Sequence, residues 1–134
     1  MVGQEVNIVW FKRDLRLKDH EPLSFSIDQD LPIVLLYILD FEYIHNPHYS
    51  NRHWQFVKDS LKNMAKQLKV HGQKLTVLEG DTLEIFKNIH SKFHIKNIYS
   101  HQETGLGFSY SIDKRLKKWV DSEKISWTEF QQNG

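Results

Sequence analysis

The chain of 134 residues contains no cysteine. That absence removes disulfide scaffolds, cysteine-based zinc sites and thiol nucleophiles together, and it fits a reducing compartment such as the cytoplasm. A surplus of charge is missing too: 18 Lys+Arg stand against 17 Asp+Glu, a formal net charge of +1. Coating nucleic acid or a membrane through net charge needs many uncompensated cations, so that class is excluded while a local basic patch is not. Long hydrophobic runs are absent as well. The longest, Ile33 to Leu39, has seven residues, whereas a bilayer span takes roughly 20. No basic segment precedes a long apolar core at the start, so no signal peptide is expected. There is no internal repeat, low-complexity segment or linker, and the length suits one domain.

What is present is an alternation of short apolar runs with longer amphipathic stretches. Val6 to Phe11 and Ile33 to Leu39 read as strands, the second buried on both faces because no polar residue interrupts it. Lys74 to Leu78, Lys96 to Tyr99 and Ile125 to Phe130 supply three more, the last alternating in the manner of an edge strand. Between them Trp54, Val57, Leu61, Met64, Ala65 and Leu68 fall on one helical face after Ser50, an N-cap candidate, and Gly72 sits where a helix ends. Asp81-Thr82-Leu83-Glu84 resembles a capping box ahead of a helix that turns Leu83, Phe86 and Ile89 inward. Ile112, Leu116, Trp119 and Val120 mark a further helix, and a short first one runs from about His20 to Ile27 with Pro22 in its opening turn. Such a series predicts an α/β fold with an open five-stranded parallel sheet in the order 3-2-1-4-5 and helices on both faces. It stops at Asn133-Gly134, straight after the fifth strand, and so reads as the front of something longer.

In such a sheet ligands gather at the carboxyl ends of the strands where the winding reverses, between strands one and four. The loop after strand one is Lys12-Arg13-Asp14-Leu15-Arg16-Leu17-Lys18-Asp19, and the loop after strand four is His101-Gln102-Glu103-Thr104-Gly105-Leu106-Gly107. Guanidinium donors in the first suit carboxylate or phosphate, and Glu103 places a carboxylate beside flexible glycines. The plain alternatives are a charged loop whose arginines pair with Asp14 or Asp19, and a Glu103 that only favours a helix N-terminus. No phosphate-binding G-x-x-x-x-G-K-[ST] occurs, Gly105-Leu106-Gly107 lacks a third glycine and follows the wrong strand, and no G-x-S-x-G surrounds a serine. His45, His48 and His53 lack acidic or thiol partners nearby, so no metal site is expected. The four tryptophans, Trp10, Trp54, Trp119 and Trp127, read mostly as core residues rather than an electron relay.

The run Val9-Trp10-Phe11-Lys12-Arg13-Asp14-Leu15-Arg16-Leu17-Lys18-Asp19-His20-Glu21-Pro22-Leu23 resembles the opening signature of DNA photolyases and cryptochromes, W-F-R-x-D-L-R-x-x-D-[NH]-x-[AP]-L. Leu36 to Asp40 is similar to the end of that family's second strand, Arg52 to Leu61 to its R-x-x-F-[LV]-x-x-S-L helix, Gly80-Asp81 to its G-[DN]-P turn, and Ser100 to Gly105 to its strand-four loop. Two departures stand out: Ile112 precedes Asp113 where an Arg is usual, and Thr82 follows Asp81 where a Pro is usual.

The resemblance covers essentially the whole chain and implies, for residues 1–134, a photolyase-type N-terminal α/β domain. A helical domain carrying FAD is then expected beyond residue 134 as its partner in the same chain. The antenna site implied for this domain takes a folate (methenyltetrahydrofolate), a deazaflavin or FMN. Carried over position by position, Trp10, Lys12, Arg13, Asp14, Leu15 and Arg16 border the antenna cleft and the domain interface, Tyr37 and Asp40 form the rim beside strand two, and Glu103 contacts a bound folate. The implied activity is that of a deoxyribodipyrimidine photolyase, which uses blue light to split pyrimidine dimers in damaged DNA, with the lesion flipped out of the duplex. No membrane or metal partner is implied, and these residues alone are not expected to repair DNA. Two other readings compete: the same domain in a cryptochrome that signals without repair, and an unrelated nucleotide-binding α/β module.

Overall fold

β1 (Glu5–Phe11) is the middle strand of a five-stranded sheet, paired in parallel with β2 (Ile33–Asp40) on one side and β4 (His94–His101) on the other. β3 (Leu75–Gly80) lies outside β2 and β5 (Ser126–Phe130) outside β4, which gives the expected order β3-β2-β1-β4-β5 with every pairing parallel. The computed structural model describes residues 4–12, 17, 20–45, 50–102 and 107–131. Among these residues five helices connect the strands: α1 (Glu21–Ile27), α2 (Phe41–Ile44), α3 (Asn51–Val70), α4 (Thr82–Lys92) and α5 (Gly107–Ser122).

Successive strand residues face opposite ways, and this parity builds two cores. Ile8 and Trp10 join Leu36, Ile38 and Ile98 against Phe86 of α4 and Leu116 and Val120 of α5. Val9 and Phe11 join Leu35 and Tyr37 against Val57, Leu61, Met64 and Leu68 of α3. The four α3 residues recur at helical spacing, so one stripe is dry and the rest of the helix is wet.

Caps fix where the helices begin. Ser50 Oγ accepts from His53 N at 3.2 Å and Asp81 Oδ2 from Glu84 N at 3.0 Å, as the sequence pattern predicts. At α1 the cap is His20, whose Nδ1 accepts from Leu23 N at 3.2 Å, so the helix starts one residue later than expected. α3 closes with His71, and Gly72 then adopts φ +72, a left-handed conformation that glycine takes without a side-chain clash.

The helix α2 was not expected from the sequence. Four residues are too few to show a helical period, and the turn is set by Asp40, whose Oδ1 accepts from Glu42 N at 2.8 Å. Strand β4 is longer at both ends than Lys96–Tyr99, because ladder pairing with β1 and β5 extends it past the apolar run that marks its middle. Strand β3 likewise runs on to Gly80, and β5 begins at Ser126 rather than Ile125. Among the described residues no helix is long and apolar enough to cross a membrane.

Candidate functional site

At the carboxyl end of β1, Trp10 and Lys12 share strand parity and therefore face α5 together. The Lys12 ammonium lies 2.5 Å from Asp113 Oδ2, with side-chain exposures of 7% and 15%, so this ion pair is largely withdrawn from water. It also stands 4.5 Å from the Trp10 ring centroid and 5.6 Å from that of Trp127, within cation–π range of both indoles. Trp127 comes from β5, donates its indole N–H to Ser100 Oγ at 2.9 Å, and stands 5.8 Å from Trp10. Phe86 meets Trp10 edge-on at 5.1 Å. One cation thus ties β1 to α5 across an aromatic floor supplied by β1 and β5.

The opposite face of the same strand ends is lined by aromatic rings and imidazoles. His20 and His101, exposed by only 1% and 4%, approach edge to face at 4.7 Å, and Phe11 lies 4.7 Å from His20. Phe25 of α1 packs on Tyr99 at 5.1 Å and on Phe130 at 5.6 Å. Burial pushes the Tyr99 phenol above its ordinary pKa.

Asp40, the last residue of β2, is 2% exposed. Its Oδ2 accepts from Thr82 N at 2.9 Å and from Thr82 Oγ1 at 2.6 Å, while Oδ1 holds Glu42 N. One carboxylate therefore fastens the end of β2 to the starts of α2 and α4. Thr82, a departure from the family's usual proline, supplies both a backbone and a hydroxyl donor here, and a proline would supply neither.

Of the residues singled out in the sequence, the fold brings Trp10 and Lys12 into one cluster. Tyr37, paired with Phe11, faces the α3 core, and Asp40 serves as a buried brace. The polar groups Lys12, Asp113, Ser100 and Asp40 are each engaged within the fold. Arg13, Asp14, Leu15, Arg16 and Glu103 lie outside the described residues, as does His48 of the histidine group. Sequence reasoning did not assemble Asp113, Ser100 and Trp127 around Lys12. Strand parity alone places Lys12 beside Trp10, whereas a partner 101 residues away leaves no local signal. Among the described residues no group of three or more His, Cys, Asp or Glu side chains is arranged to hold a metal ion.

Comparison with known sequences places this arrangement. The sequence model of the DNA photolyase family matches residues 7–133. The chain belongs to the DNA photolyase family. Cryptochrome DASH of Synechocystis sp. is 35% identical over 101 residues, covering 72% of this chain and 21% of that protein. The chloroplastic/mitochondrial cryptochrome DASH of Arabidopsis thaliana is 28% identical over 132 residues, 92% of this chain and 23% of its own length. Among solved structures, the Synechocystis cryptochrome superposes with a TM-score of 0.89 at 26% identity, over 98% of this chain and 28% of that one. An archaeal photolyase from Sulfolobus tokodaii with two FAD molecules gives 0.83 at 26% identity, over 94% of this chain and 29% of its own. The fold is that of the family's N-terminal domain, and the chain spans between a fifth and a third of the length of these relatives.

Proposed function

We propose that this chain is the N-terminal antenna-chromophore domain of a deoxyribodipyrimidine photolyase, a blue-light-driven flavoenzyme that splits pyrimidine dimers in DNA. The observation that carries this reading is positional: β1 delivers Trp10, Phe11 and Lys12, the first residues of the family signature, to the carboxyl end of the central strand beside β4, where open parallel sheets bind ligands. The residues proposed for the antenna cleft and the interface with the FAD domain are Trp10, Lys12, Arg13, Asp14, Leu15, Arg16, Tyr37, Asp40 and Glu103. Lys12, Trp10 and Asp113 form a largely buried frame at the carboxyl end of β1. In this reading the bound antenna supplies light absorption and energy transfer, and FAD in a helical domain of the same protein supplies the electron that splits the dimer. The two FAD molecules of the Sulfolobus photolyase, with the novel light-harvesting cofactor they imply, support a chromophore role for this fold. Damaged DNA is the partner of the whole protein, and its compartment on this reading is the cytoplasm.

A second reading, a cryptochrome that signals without repair, is favoured by the names of two similar relatives, both cryptochromes DASH. Family membership sets aside the unrelated nucleotide-binding module. The deciding experiment is the near-UV and visible spectrum of the protein expressed from its uninterrupted reading frame, before and after adding methenyltetrahydrofolate, followed by a thymine-dimer photorepair assay. A flavin spectrum with an added antenna band and light-dependent dimer loss is expected. A flavoprotein without dimer loss moves the assignment to the signalling reading, and a colourless protein overturns both. Glu103→Ala is expected to weaken antenna retention with the flavin band unchanged, and equal retention removes Glu103 from the site.

A further inference from the structure

The chain is nearly neutral overall, at +1, yet α3 is not. Its 20 residues hold five cations, Arg52, Lys58, Lys62, Lys66 and Lys69, against the single acid Asp59, a net of +4. At about 100° per residue, Lys58, Lys62, Lys66 and Lys69 fall within an arc of about 80°, and at a rise of about 1.5 Å per residue they form a straight row about 17 Å long. All four are exposed, because the opposite stripe of Val57, Leu61, Met64 and Leu68 is locked into the core and fixes which way the row points.

An ordinary solvated helix face interleaves the two signs, so that acids four residues from lysines support the helix. Here the successive pairs Lys58/Lys62 and Lys62/Lys66 are alike in charge, which opposes helix formation. No ion pair among the described residues engages any of the four. Asp59 instead accepts from Gln55 Nε2 at 3.0 Å. The small side chain of Ala65 leaves a shallow hollow of about 560 Å³ beside the row, bounded by Asp59, Lys62, Asn63, Lys66 and Lys69. Its rim carries three lysines against one acid.

We propose that the lysine row of α3 is a sequence-independent contact for the phosphate backbone of nucleic acid, on a face of this domain separate from the strand ends. Duplex DNA carries about one negative charge per 1.7 Å of axis, so a row about 17 Å long lies along about ten phosphate charges and each lysine can reach one. The regular spacing of about 6 Å between Lys58, Lys62 and Lys66 fits a polymer of evenly repeated charge. A membrane surface fits less well, since the apolar stripe that would enter lipid is already spent on the core. Phe56 and Val70, the large exposed apolar residues of this helix, lie off the row. The inference concerns undamaged duplex and stands whether or not the protein repairs dimers.

The test is fluorescence anisotropy of a labelled, undamaged 20-base-pair duplex titrated with the protein in 50 to 200 mM NaCl. Four phosphate contacts give a slope of log K against log salt near −3.6, so affinity is expected to fall on the order of a hundredfold across that range. The variant Lys58→Gln/Lys62→Gln/Lys66→Gln/Lys69→Gln keeps good helix formers at every position and is expected to flatten the slope by about 3.6 units, with an unchanged circular dichroism spectrum. Lys87→Gln/Lys92→Gln, on exposed positions of α4, is expected to bind as the parent does. The proposal is overturned by a parent protein that does not bind at 50 mM salt, or by a quadruple variant with the parental slope. Binding to vesicles containing phosphatidylserine with none to the duplex overturns it in favour of a lipid surface.

Discussion

The buried pair between Lys12 and Asp113 gives the sharpest prediction. Its side chains are 7% and 15% exposed, so each charge has lost most of its water and depends on the other. Replacing Asp113 by Asn leaves an ammonium whose remaining neighbours include two indole faces, at 4.5 and 5.6 Å. Cation–π contacts recover only about 0.5–2 kcal/mol. Breaking a buried pair this way costs about 3–5 kcal/mol, a large share of the 5–15 kcal/mol that stabilises a typical domain. Lys12→Met removes the carboxylate's Lys12 partner instead but keeps the aliphatic stem on the tryptophans, so its cost falls at the lower end of that range. The double variant Lys12→Met/Asp113→Leu removes both charges and is expected to cost well under the sum of the single changes. Urea unfolding followed by tryptophan emission measures all four corners of the cycle, with Trp10 and Trp127 reporting from the site itself. Single changes costing less than about 1 kcal/mol, the range of exposed ion pairs, would refute the claim that this pair braces the strand end. So would two costs that simply add.

Asp40→Ala removes three hydrogen bonds at once and leaves the buried Thr82 amide and hydroxyl unpaired, so a loss of about 3 kcal/mol is expected in the same urea assay. Asp40→Asn, which keeps an acceptor oxygen, is expected to lose less. For His90, burial and then the neighbouring His94 lower the pKa below the ordinary 6.5, with Glu123 opposing them. The unfolded chain therefore binds a proton more readily than the folded one, so the stability tied to His90 is complete above pH 6.5 and is lost as pH falls through the depressed folded value. His90→Gln is expected to make the dependence of unfolding free energy on pH shallower between pH 5 and 7, and an unchanged slope would show that His90 does not contribute.

Much of this architecture is written locally. The uninterrupted run Ile33 to Leu39 marks a strand covered on both faces, the spacing of Val57, Leu61, Met64 and Leu68 marks a helix with one dry side, and Ser50 and Asp81 mark where helices start. All of these are relations within a few residues, fixed by backbone geometry and visible in one dimension. The parallel order 3-2-1-4-5 follows because crossovers by helices leave few ways to wind such a sheet. The family signature was legible for the same reason, as a continuous run that starts at the end of β1.

The site's internal chemistry was not legible, because it depends on residues far apart in the chain. Lys12 and Asp113 look like two of many surface charges until β1 and α5 are packed together, and only then does burial make them interdependent. Asp40 reads as a polar rim residue, and only the packing of α4 brings Thr82 against it and makes its carboxylate a brace as well. The sequence alone determined the five strands, the longer helices, their order and the family, since these rest on local period and short motifs. Only the tertiary structure decided which charges face each other in a dry interior, because the strength of an electrostatic contact is set by the water excluded around it and not by position along the chain.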